Sequence, residues 1–93
     1  MEIKGQEFVN QEVHLDFNKF TKCYFRECTM IFHGFGVVHF DECRFMNVRW
    51  TFADAAFRTL DFMATLYQAG AAELIESMIE RIRSGVPPHP PVH

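Results

Sequence analysis

A step of five residues dominates the first half of this chain. Counting from Leu15, every fifth residue is large and apolar: Leu15, Phe20, Phe25, Met30, Phe35, Phe40, Phe45 and Trp50. Two places before each stand Val13, Asn18, Cys23, Cys28, His33, Val38, Cys43 and Val48, mostly small or medium residues. The same register extends backward through Phe8 and Ile3. Neither standard element holds such a pattern. On an α-helix each step of five rotates by about 140°, which spirals the large residues around the whole surface. On a flat strand an odd step sends successive residues to opposite faces. The chain must therefore turn once in every five residues, with two pointing in and three out.

Written as units, the segment reads NKFTK, CYFRE, CTMIF, HGFGV, VHFDE, CRFMN and VRWTF. It resembles the pentapeptide-repeat family, which favours Leu or Phe at the centre of each unit and Ala, Cys, Ser or Val two places earlier. Asn18 and His33 depart from the small position, and Trp50 is large for a centre. The resemblance covers residues 13–52. It implies a mainly β fold, a short right-handed four-sided parallel β-helix with four units per coil, hence about two coils. Residues twenty apart would then stack at about 4.8 Å: Phe20 under Phe40, Phe25 under Phe45, Met30 under Trp50 and Cys23 under Cys43. The 11 Phe residues find their cause there, as aromatic rungs filling a narrow interior.

Beyond Phe52 the pattern fails, because Arg58 would point inward, and a helical period begins. Asp54 is an N-cap residue, strong helix formers follow, and Gly70 reads as a stop. Phe57, Leu60, Ala64 and Tyr67 give one apolar face. A second helix is expected from Ala71 to Ser84, with Leu74, Ile75, Met78, Ile79 and Ile82 as its stripe, ended by Gly85 and Pro87. The expected organisation is one domain over 1–86: a lead-in at 1–12, repeats at 13–52 and a helical pair at 54–85. A mobile Pro-rich tail at 87–93 would follow.

Several apolar residues fall at outward positions. Phe17 and Val37 should share one wall, as should Phe32 and Phe52. Apolar surface of this kind marks packing against helices or another subunit. The expected interface comprises Phe17, Ile31, Phe32, Val37, Phe52, Ile75, Ile79 and Ile82. The expected partner is a second copy, a dimer being simplest, with a further protein partner as an additional occupant.

The chemistry-bearing residues form no catalytic constellation, so no enzyme is expected. Cys23, Cys28 and Cys43 match no zinc spacing and fall on small inward positions, where a thiol acts as a small hydrophobe. His33 reads as a neutral core histidine bonded to backbone. His14 and His39 read as surface residues, and His89 and His93 lie in the tail. Asp41-Glu42 and Glu76-Glu80 read as solvated carboxylates. No cofactor or metal is expected. A formal net charge of -3 argues against nucleic acid and membrane surfaces as partners. The residues 1–12 lack the apolar stretch of a signal peptide, and with the unpaired cysteine count this points to the cytoplasm.

The first expectation is thus a structural or protein-interaction module. The family resemblance adds an alternative, since some longer pentapeptide-repeat proteins mimic duplex DNA and bind topoisomerases. Here the outward charges Lys19, Lys22, Arg26, Glu27, Asp41, Glu42, Arg44 and Arg49 mix both signs. A small-molecule binder at the junction of coil and helices is the remaining alternative.

Overall fold

A computed structural model of the chain describes residues 1–85. The tail assigned to 87–93, with His89 and His93, lies outside the described residues. The chain forms two compact units, Met1–Arg58 and Thr59–His93.

The first unit holds nine short strands: β1 (Glu2–Lys4), β2 (Glu7–Val9), β3 (Glu12–His14), β4 (Lys19–Thr21), β5 (Tyr24–Arg26), β6 (Thr29–Phe32), β7 (His39–Asp41), β8 (Arg44–Met46) and β9 (Arg49–Phe52). They make three parallel sheets in the orders β1-β4-β7, β2-β5-β8 and β3-β6-β9. The chain therefore visits the three sheets in turn, three times, and each pass adds a layer.

Between the second and third layers the register is the expected one: Phe20 pairs with Phe40, Phe25 with Phe45 and Met30 with Trp50. Between the first and second it is three residues shorter, with Ile3 opposite Phe20, Phe8 opposite Phe25 and Val13 opposite Met30. This corrects two expectations. Residues 1–12 are no lead-in, because they supply β1, β2 and the start of β3, so there are three layers of strands. Val13 is also a strand centre and not a small position. The cause is the passage from the third strand of each circuit to the first strand of the next: the irregular segment has four residues, Leu15 to Asn18, in the first layer and six, His33 to Val38, in the second, and β6 is one residue longer than β3.

Six of the strands, β1, β2, β4, β5, β7 and β8, end directly at a corner with a left-handed residue. Gly5, Lys22 and Glu42 occupy one column of corners (φ 62, 53 and 53), and Asn10, Glu27 and Asn47 another (φ 53, 55 and 51). The corners repeat one hydrogen bond: Gly5 N–H donates to Thr21 O at 2.8 Å, Lys22 N–H to Asp41 O at 2.8 Å, and Glu27 N–H to Met46 O at 2.9 Å.

Inside, Phe8 and Phe45 stack on the two faces of Phe25, with ring centroids 5.0 and 5.3 Å away, while Phe20 meets Phe25 edge-on at 5.2 Å. Aromatic pairs favour both arrangements. The small positions hold the buried Cys23 and Cys28, whose thiols donate to Ile3 O at 3.4 Å and Phe8 O at 3.3 Å in the layer below. Cys43 repeats the contact with Phe20 O at 3.3 Å, and all three thiols are free. Two expected inward residues fail the pattern. Phe35 is 61% exposed, and the His33 ring turns away to other side chains, because both lie in the irregular segment that belongs to none of the three sheets.

Helix α1 (Asp54–Gln68) continues from the first unit into the second, and α2 (Ala72–Arg83) follows. Gly70, at φ +109, lets Ala71 N–H donate back to Leu66 O at 2.9 Å, which closes α1 as its sequence predicts. Tyr67 Oη donates to Glu76 Oε1 at 2.8 Å, joining the helices. That bond and the nearby charge of Glu76 raise the tyrosine's pKa above its ordinary value. The apolar face read on α1 lies in the open: Phe57, Leu60 and Tyr67 are all exposed. Among the described residues no helix is long and apolar enough to cross a membrane.

Candidate functional site

The most elaborate polar arrangement lies where the irregular segments of the first two layers meet the start of α1. Asp16, just past β3, aims its carboxylate at the backbone of residues 33–36. It accepts from His33 N–H at 2.7 Å, Phe35 N–H at 2.6 Å and Gly36 N–H at 3.0 Å. Successive N–H groups curved around one anion form a nest, and here the anion is the chain's own carboxylate. Desolvation pushes the Asp16 carboxyl up, but the three N–H donors and the charge of His33 together outweigh it and hold the group below the usual carboxylate range. Gly34 sits at φ +81, and a Cβ there would stand 2.7 Å from Ala56 N. The nest and the first turn of α1 are thus pressed together, and Ala56 N–H donates to His33 O at 3.0 Å.

Beside the nest, three side chains form a line. His33 Nδ1 lies 2.5 Å from Asp54 Oδ2, and His33 Nε2 lies 2.9 Å from His14 Nδ1. The two imidazoles meet edge to edge and nearly in one plane, with ring centroids 5.1 Å apart and the rings 9° from parallel. Asp54 Oδ2 accepts the His33 Nδ1 proton, and one of the two facing nitrogens, His33 Nε2 or His14 Nδ1, donates to the other. The line ties the first layer to the start of α1. His33 is therefore no core histidine bonded to backbone: its ring joins two side chains, and only its N–H and C=O serve the backbone network. Among the described residues, no group of three or more His, Cys, Asp or Glu could hold a metal ion.

A separate open groove of ≈ 690 Å³ runs along the same irregular side, lined by Met1, Phe17, Lys19, Phe35, Val37 and His39 among others. None of its lining residues is His14, His33 or Asp54, so the histidine line and the groove share no wall. Gly36 lies under the Phe17 ring, in a place any Cβ would occupy.

The expected interface residues separate into three groups. Phe17 and Val37 adjoin in neighbouring layers, Phe17 N–H donating to Val37 O at 3.0 Å, and both are exposed, at 64% and 66%. Phe52 and Ile82 are also exposed, while Ile31 and Ile79 are half-buried. Phe32 and Ile75 correct the expectation. Phe32 packs against the core, because it shares a column with the buried Leu15 at the inward side of a corner, and Ile75 is buried. The Asp16 nest and the histidine line were not anticipated. His14, His33 and Asp54 are spaced by 19 and 21 residues, so a scan for polar residues near the coil period would have flagged them. No family model, curated protein or solved structure matches this chain.

Proposed function

We propose that this chain is a non-catalytic, self-associating interaction module, and that its Met1–Arg58 unit is a right-handed four-sided β-helix of the pentapeptide-repeat type. The repeating corners and the three-sheet circuit support the architecture, the irregular segments serving as the fourth side. Right-handedness follows from the strong preference of parallel strand connections for that hand. Three free thiols at packed positions suit a reducing compartment such as the cytoplasm.

The observation that carries the functional reading is the apolar surface that the first unit leaves open. Phe17, Phe35 and Val37 on one side and Phe40, Phe45 and Trp50 in the last layer are all at least 37% exposed. Contiguous apolar surface on a small fold marks an association site. The residues best placed for chemistry, by contrast, are engaged in holding the fold: Asp16 closes the nest, and Asp54, His33 and His14 tie three segments together.

Light scattering at micromolar concentration tests the reading. The expected mass exceeds the 10.9 kDa of one chain and rises with concentration. A monomer throughout, with far-ultraviolet circular dichroism showing a folded chain, would remove self-association from the proposal.

A further inference from the structure

β1, β2 and β3 each bond a neighbouring strand along one edge only, and so do β7, β8 and β9. Open edges of this kind invite another chain to pair with them, and proteins commonly blunt them with charge. The charges at these two ends do more than blunt. We infer that the first layer of one copy docks on the third layer of another, in the register the molecule already uses between its own layers, so that copies stack head to tail. The inference rests on the self-association proposed above and specifies its geometry.

The register follows from the two sets of strand pairs inside one chain. Glu7 lies opposite Tyr24 and Tyr24 opposite Arg44; Glu12 lies opposite Thr29 and Thr29 opposite Arg49; Lys4 lies opposite Thr21 and Thr21 opposite Asp41. In each column an acidic and a basic residue are kept apart inside one chain by an uncharged residue of the middle layer. Continuing the same columns into the next copy removes the spacer. Glu7 of the next copy then lies on Arg44, its Glu12 on Arg49 and its Lys4 on Asp41, each couple of opposite sign at about the 4.8 Å strand spacing. Among the described residues no ion pair engages Glu7, Glu12, Asp41, Arg44 or Arg49.

The inward columns agree. Ile3, Phe8 and Val13 of the next copy fall on Phe40, Phe45 and Trp50, which are 37%, 40% and 50% exposed where their counterparts Phe20, Phe25 and Met30 are 1%, 0% and 0% exposed. Stacking would give the last layer the cover that the middle layer has. The two surfaces in contact are different, so the assembly is heterologous and open, and it grows as a rod instead of closing as a two-fold dimer.

Sedimentation velocity on the full chain and two charge-reversed variants tests this. The first variant carries Glu7→Arg with Glu12→Arg, and the second Arg44→Glu with Arg49→Glu. Wild type should show masses that climb with concentration without a plateau and fall in high salt. Each variant alone sets like charges against each other and should associate about tenfold more weakly or less well still. An equimolar mixture restores opposite signs at every junction and should recover wild-type assembly, which misfolded variants could not do. A plateau at dimer mass for wild type, insensitive to both variants, would overturn the head-to-tail inference while leaving self-association standing. A wild type that stays monomeric would overturn both.

Discussion

The middle and last layers of strands are built from the same kinds of residue and meet different fates. Phe20, Phe25 and Met30 are sealed, while Phe40, Phe45 and Trp50, directly above them in register, are at least 37% exposed. What differs is the number of covered faces. A middle-layer ring has a neighbour on each side, as Phe25 has in Phe8 and Phe45, and a last-layer ring has one. In a stacked fold, burial is a property of position along the stack, and a five-residue period carries no information about where the stack ends.

The sharpest way to break that comparison is to delete the same ring in both layers. Phe25→Ala opens a cavity with packed walls and should cost about 3–5 kcal/mol. Phe45→Ala removes a ring that is 40% exposed and should cost about 1.5 kcal/mol at low protein concentration. Urea unfolding of both variants measures the difference. Equal losses would mean that the last layer is covered in solution. A loss at Phe45 that grows with protein concentration would tie that cover to assembly.

The next largest effect belongs to the irregular side, where the layers are held by a carboxylate instead of a ladder. Asp16→Ala leaves three N–H groups without their anion and should cost about 2 kcal/mol. The pH dependence has a definite sign. The folded state holds the Asp16 carboxyl below its ordinary range, so its contribution is fully present above the unfolded value of about 3.9 and is lost as pH falls through the folded value. The gap in stability between wild type and Asp16→Ala should therefore be constant near neutrality and shrink in acid, below about pH 4. A gap that widened in acid would show that the nest is not held by an ionised carboxylate.

These two regions also mark what the sequence could reveal. The pairings of Phe20 with Phe40, Phe25 with Phe45 and Met30 with Trp50 were legible because each inward residue obeys one geometric rule, repeated. So were the helices, through Gly70 and the apolar period. The first layer was misread because Leu15–Asn18 is short: a three-residue change of phase makes Val13 look like a small position when it is a centre. The nest was invisible for a related reason. Asp16 meets His33, Phe35 and Gly36 through backbone N–H groups, and a backbone donor leaves no mark on residue type. The histidine line did leave one, in His14, His33 and Asp54, but His33 sits in register with the inward small positions, which favoured a core reading.

The smallest effect tests whether the corners are equivalent from layer to layer. One column of corners reads Asn10, Glu27 and Asn47, all left-handed at φ 53, 55 and 51. A residue with a Cβ pays about 1–2 kcal/mol for that conformation, and Asn relieves part of it with its short polar side chain. Two layers place Asn there and the middle one places Glu, although Glu27 takes part in no ion pair among the described residues. Glu27→Asn should therefore stabilise the fold by about 0.5 kcal/mol, and Glu27→Ala, which lacks the local relief, should not. Thermal unfolding of the pair against wild type reads this directly. If Asn gives no gain over Ala, the middle corner is held by its neighbours above and below, and residue choice matters only at corners in the end layers.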